Sequence, residues 1–131
     1  MKAQILTPTG SVFDGDAEGI QMPGSDGGLE VRKGHASLVS LLDIGKLVVK
    51  MKGSEKKSYA VSGGFVEVND DNVIVMAEEA LEPEQIDIKQ EEQKQQEAES
   101  GLKEHKVYTE EYKKYYRELR IIKNRIKLAK S

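Results

Sequence analysis

At 131 residues, 37% hydrophobic and 33% charged, with no Trp and no Cys, the chain fits one ordinary domain or two very small ones around a modest core. The missing cysteines exclude disulfides, thiolate metal sites and thiol nucleophiles. No apolar run approaches the roughly 18 residues that a membrane span requires, and residues 1–6 lack a signal-peptide core, so the expectation is a chain kept in the cytoplasm.

The net charge of −3 is unevenly spread, because residues 105–131 carry nine Lys/Arg against three Asp/Glu, a surplus of +6 on a chain that is otherwise −9. A cationic tail on an acidic body points to an acidic partner surface, to nucleic acid, or to plain solvation.

From the N-terminus, residues 2–7 form a β-like run ended by Pro8-Thr9-Gly10, and Ser11-Val12-Phe13 resumes it before Asp14-Gly15-Asp16. Residues 17–22 close on Pro23-Gly24-Ser25-Asp26-Gly27-Gly28. Runs at 29–32, 37–42, 46–51, 56–62, 65–68 and 72–77 continue the pattern, although 36–42 also reads as a turn of helix. Short strands with Gly-rich punctuation predict an all-β sandwich, or flattened barrel, over residues 1–81. Its last hairpin has the clearest signal: β-rich runs at 59–68 and 72–76 meet at Asn69-Asp70-Asp71-Asn72. Within the first run, Gly63-Gly64 predicts a kink or bulge where another backbone comes close.

After Leu81 the texture changes. Glu82-Pro83-Glu84 reads as a helix entry, with Pro tolerated and acids favoured in the first turn. Residues 85–103 are dominated by Glu, Gln and Lys, with Ile86, Ile88, Ala98 and Leu102 as nearly all of their apolar content. Thr109 followed by Glu110 and Glu111 predicts an N-cap and a second helix over 110–130. Tyr108, Tyr112, Tyr115, Leu119, Ile122, Ile126 and Ala129 recur at helical spacing, Tyr116, Ile121 and Leu128 broaden the stripe, and Arg117, Arg120, Lys123, Arg125, Lys127 and Lys130 fall on the other faces. The whole is therefore α+β: an N-terminal sandwich and, over residues 82–131, an antiparallel two-helix hairpin. One strong apolar face against one weak face predicts marginal stability, and hence a movable element.

Chemistry is sparse. His35 and His105 stand far apart with no second ligand at metal spacing, Ser62 lacks the Gly-x-Ser-x-Gly context, and no Lys-Ser/Thr pair or helix follows residues 24–28. Asp14/Asp16 and Asp70/Asp71 read as turn formers. No catalytic residue, metal or cofactor is expected. Tyrosines interleaved with cations after residue 112 suggest stacking on nucleic acid. They fall on the apolar stripe, however, and the acidic remainder would repel a polyanion, so an acidic protein patch is the better fit.

Several segments taken together resemble the epsilon subunit of the rotary, F-type ATP synthase. They are residues 7–13 and 20–22, Gly34-His35-Ala36-Ser37-Leu38, Gly45-Lys46-Leu47, Val61-Ser62-Gly63-Gly64-Phe65-Val66-Glu67-Val68, and residues 72–77 with Ala80. The match covers most of residues 3–81 in order; the helical part matches in length, in character and in Leu119-Arg120-Ile121. The resemblance implies a non-catalytic central-stalk (rotor) subunit of a proton- or sodium-translocating synthase. Its sandwich would bind a gamma-like central-stalk subunit and the proteolipid ring. Its hairpin would reach the catalytic and non-catalytic head subunits and, as in many bacterial members, block ATP hydrolysis when extended. Such a chain would sit at the cytoplasmic face of the inner (plasma) membrane if bacterial, without inserting into it.

Glu30 and His35 are then expected on the lower contact surface, and Arg117, Arg120, Lys123, Arg125 and Lys127 on a cationic face toward an acidic head loop. Gly34, Gly45, Gly63 and Gly64 are expected to be structural. Ser37 stands where Pro usually follows Gly-His-Ala, and Gly28 where many members have an acid. Ile86-Asp87-Ile88-Lys89-Gln90-Glu91 keeps Asp87 of a family nucleotide motif but has Gln90 in place of its Arg, removing a charge-assisted phosphate contact, so nucleotide binding is not expected. An unrelated adaptor sandwich with a basic helical tail would explain the texture, but not the ordered matches.

Overall fold

Alternating apolar and polar side chains produce eight strands before any α-helix forms: β1 (Lys2–Thr7), β2 (Gly10–Asp16), β3 (Gly19–Gly24), β4 (Gly27–Arg32), β5 (Leu38–Lys50), β6 (Lys56–Asn69), β7 (Asn72–Ala77) and β8 (Ala80–Leu81). The computed structural model describes residues 1–131. By internal contacts these form two units, Met1–Glu82 and Pro83–Ser131.

In the first unit the strands join in the order β2-β1-β7-β6-β5-β3-β4, with β8 also on β6. All neighbours are antiparallel except β1 and β7, which run parallel. The sheet folds over a single core in which Ile5, Ile20, Val31, Leu47, Val61 and Val66 are sealed from solvent. Each such side chain contributes about 1.5–3 kcal/mol. The β6–β7 connection follows from its residues: Asn69 pairs with Asn72, and the two residues between them, Asp70 and Asp71, take φ of 46° and 64°. That is a type I′ turn, whose twist matches that of the strands it joins.

β5 and β6 correct the expected segmentation. Breaks are expected near residues 43–45 and 63–64, yet β5 runs for 13 residues and β6 for 14. Glycine bends these strands without ending them. Regular pairing lapses between Leu42↔Gly64 and Ile44↔Ser62. Beyond that point β6 exchanges one neighbour for another, pairing with β7 from Gly64 onward and with β8 through Val61 and Ala60. Ser62 N donates to Glu79 O at 3.1 Å and Glu78 N to Gly63 O at 3.0 Å across the switch. Gly64 has φ +141°, and a Cβ built there would overlap the Met76 carbonyl oxygen. A Cβ on Gly45 would stand 2.6 Å from Pro23 Cβ, which is how closely β3 approaches β5.

The second unit begins with a 3-10 turn, Pro83–Gln85, followed by α1 (Ile88–Lys103) and α2 (Glu110–Lys130). The expected helix start near residue 82 is thus corrected. Asp87 is the true N-cap, its carboxylate accepting from Gln90 N at 3.1 Å, and this side-chain bond fixes where the helical turns begin. Thr109 caps α2 by accepting from Tyr112 N at 3.2 Å. The hairpin core is small: Ala98, Leu119 and Ile122 are buried, with Leu102, Tyr115 and Ile126 packed against them.

Candidate functional site

Large apolar side chains that a sheet leaves in water carry more functional information than its core does. Across the middle of the sheet Leu41 pairs with Phe65, Phe65 with Met76, and Met76 with Leu6. Leu41 is 66% exposed, Phe65 39% and Met76 43%, while Val39, two positions before Leu41 and hence on the same face, is 73% exposed. The intervening residues Leu42, Val66, Val75 and Ala77 point into the core, as strand alternation requires. An apolar row therefore crosses β5, β6, β7 and β1 on the outer face of the sandwich. Sequence reasoning missed it, although a signal was present. Residues 38–42 and 73–77 are apolar on both faces of their strands, a pattern that belongs to sheets covered on both sides.

The expected contact residues of the sandwich lie elsewhere. Glu30 on β4 is held on both oxygens, accepting from Lys50 Nζ at 2.6 Å and Arg32 Nε at 2.7 Å. The Lys50 hydrogen bond first, and that of Arg32 second, lower its carboxyl from 4.5 to about 2. His35 follows Gly34, which has φ +82°. Its ring is exposed, with Nδ1 2.8 Å from the Ala36 carbonyl oxygen. A shallow groove beside Glu30 is bordered by Met22, Pro23, Leu29, Ile44 and Lys46. Burial, with the nearby Glu82 carboxylate adding to it, pushes the Tyr59 phenol up to about 12, so that core side chain stays neutral.

The lowered Glu30 carboxyl makes stability depend on pH with a definite sign. Protons bind the unfolded chain first as pH falls below 4.5, and the folded chain only near about 2. The contribution is therefore complete above the upper value and is lost as pH falls through the lower one. Glu30→Gln is expected to flatten this part of the acid limb, as read by urea midpoints of wild type and variant across that window.

On α2, Arg117, Arg120, Lys123 and Lys127 lie at the surface, as expected of a cationic face. Arg125 corrects the expectation. It is 9% exposed and turned inward, its Nη1 donating to Glu91 Oε1 at 2.8 Å. The apolar stripe needs correction too, since Tyr108 is 76% and Tyr116 55% exposed. Tyr108 precedes the helix, and Tyr116 stacks on Tyr112 along the surface with ring centroids 6.4 Å apart; only Tyr115 joins the seam. Asp87, kept from the nucleotide motif, is engaged as the α1 cap. Nowhere do three His, Asp or Glu side chains gather in a way that could hold a metal ion, and no helix is long and apolar enough to cross a membrane.

Comparison with known proteins joins these surfaces to a family. Residues 1–83 match the family described as ATP synthase, Delta/Epsilon chain, beta-sandwich domain. The ATP synthase epsilon chain of Halalkalibacterium halodurans is 34% identical over 129 residues, covering 98% of this chain and 96% of the relative. That of Shouchella clausii is 38% identical over 102 residues, covering 78% and 76%. Among solved structures, a chain of the Euglena gracilis mitochondrial ATP synthase superposes with a TM-score of 0.81 at 25% identity, covering 93% of this chain and 76% of that one.

Proposed function

This chain belongs to the epsilon-chain family of the ATP synthase, and we propose that it serves there as a non-catalytic part of the rotor, carrying ring rotation to the catalytic head. It is a central-stalk component, and the exposed apolar row of Val39, Leu41, Phe65 and Met76 is the observation that supports a specific task for its sandwich. A row of this kind is stable in water only at a cost, and it suits burial under a protein partner, the gamma-like central-stalk subunit. Glu30 and His35 mark a polar contact toward the proteolipid ring. The surface cations Arg117, Arg120, Lys123 and Lys127 suit an acidic loop of the head subunits, where the hairpin would restrain ATP hydrolysis. In a bacterium the chain would sit peripherally, at the cytoplasmic face of the inner membrane.

The test is migration with the complex. Tagged chain expressed in its native host, with membranes solubilised in mild detergent, is expected to run on native gels with head and ring subunits and to retain the gamma-like subunit when the ring is stripped away. A chain that runs free of the synthase, or that follows some other protein in its place, would remove the rotor reading and favour an adaptor.

A further inference from the structure

The seam between α1 and α2 has three layers. Near the connecting loop, Gly101 lies so close to Tyr115 that a Cβ would stand 2.6 Å from the ring carbons. His105 also faces Tyr115 there, with ring centroids 5.6 Å apart. In the middle, Ala98 packs with Leu119 and Ile122. At the end away from the loop, the seam is closed by charge: Glu91, 5% exposed, accepts from Arg125, 9% exposed. The second Glu91 oxygen has the Lys94 ammonium 3.9 Å away. On its seam side α1 thus fully buries only a glutamate, an alanine and a glycine, with Leu102 half-buried beside them.

Such a seam leaves the choice of register to its polar layer and to the Gly101–Tyr115 fit, since a slipped Tyr115 would meet a residue that carries a Cβ. The α2 stripe repeats large apolar residues every three or four positions, from Tyr112 to Ile126, so a slip of one helical turn returns a similar side chain to most places on its side. The charged layer does not survive the slip. Arg125 would then face Lys94 or Gln95 in one direction and, in the other, Ile88 or Asp87, an exposed carboxylate already engaged as the α1 cap. Glu91 would face Ile121 or Ile122, or Leu128 or Ala129. Burying either ion without its partner is strongly unfavourable, and a lone polar contact in an apolar seam is known to fix helix register.

Opening the hairpin in the correct register has a different consequence. Both ions regain water together, so a charged layer resists opening less than well-packed apolar residues of the same volume would. We propose that Glu91 and Arg125 form a latch, which together with the Gly101–Tyr115 fit selects a single closed register and still lets the helices part. The regulatory use of such a latch rests on the rotor reading above, whereas the latch itself is a property of the free chain. If the chain failed to migrate with the synthase, the rotor reading would fall and the latch would stand.

The experiment is a double-mutant cycle on the full chain, read by amide hydrogen exchange of α1. Glu91→Gln and Arg125→Gln are each expected to speed exchange about a hundredfold, because each removes one side of the 2.8 Å buried ion pair. The double variant is expected to exchange no faster than the faster single, since coupled partners are non-additive and any other contact of Arg125 cancels in the cycle. Protection of the β6 amides shows that the sandwich stays folded. Glu92→Gln, which removes the exposed partner of Lys130 at 3.9 Å, is expected to leave α1 unchanged. Single effects that multiply in the double variant, a change below about threefold in either single, or a Glu92→Gln effect as large as that of Glu91→Gln would each overturn the latch.

Discussion

Gly64→Ala is expected to remove about 4 kcal/mol or more of sandwich stability, enough in a domain of this size to leave much of the chain unfolded at ambient temperature. Two costs act together there. The backbone sits at φ +141°, a region in which an L side chain is strained by about 1–3 kcal/mol. The added methyl also meets the Met76 carbonyl oxygen and the Ala77 Cα of β7, and backbone held in a ladder cannot move aside as a flexible side chain could. The comparison that isolates the second cost is Gly34→Ala. Gly34 also has positive φ, +82°, but nothing lies within 4 Å of the place its methyl would take, so only the conformational penalty of about 1 kcal/mol remains. Urea unfolding of both variants, followed by far-UV circular dichroism, separates these values. Equal midpoints would mean that the β6–β7 approach does not constrain the site.

The same glycine shows what the sequence made legible. Paired glycines inside a β-branched run announced a close backbone approach, because glycine has few other uses in a strand interior. Whether the strand ends there or bends and continues depends on the partners it pairs with on either side. Those partners, β7 and β8, become adjacent only when the chain folds. The Asp70–Asp71 turn was legible for a related reason, being local chemistry acting over two residues. Thr109 and the span of α2 followed from cap and periodicity. The start of α1 did not, since Pro83 and Asp87 both suit a helix entry and only the completed hydrogen bonds choose between them.

The partner-binding surfaces were less legible still. Arg125 and Lys123 are both cations on an apolar-striped helix, and periodicity assigned both to the solvent face. Arg125 is drawn inward by Glu91, a residue 34 positions earlier on another helix, and pairings at that range leave no trace in local spacing. The tyrosines illustrate the converse error: helical spacing placed Tyr112, Tyr115 and Tyr116 together on one stripe, but α1 is narrow and poor in large apolar residues, so it covers Tyr115 and leaves Tyr116 in water. The apolar row of the sandwich was masked because exposed and buried strand faces read alike when both are apolar.

Phe65→Ala is expected to weaken binding of the gamma-like subunit by about 2–4 kcal/mol, roughly thirtyfold to a thousandfold, because Phe65 stands between Leu41 and Met76 in the row and aromatic residues at the centre of an interface carry most of its energy. Leu41→Asp should do at least as much by carrying a charge into a region that binding dries out. Leu41→Asp should cost the free chain little, because that side chain is 66% exposed. Phe65, 39% exposed, is more than half covered, so its truncation should also cost the free chain about 1–2 kcal/mol, read separately by urea unfolding. Glu30→Gln, on the surface assigned to the proteolipid ring, and Lys123→Gln, on the face assigned to the head, are expected to leave binding of the gamma-like subunit unchanged at either salt. Calorimetric titration of the purified gamma-like subunit with each variant, at low and high salt, tells the two surfaces apart. If Phe65→Ala and Leu41→Asp bind like wild type while Glu30→Gln abolishes binding, the apolar row is not the seat of the stalk contact, and the polar side of the sandwich takes its place.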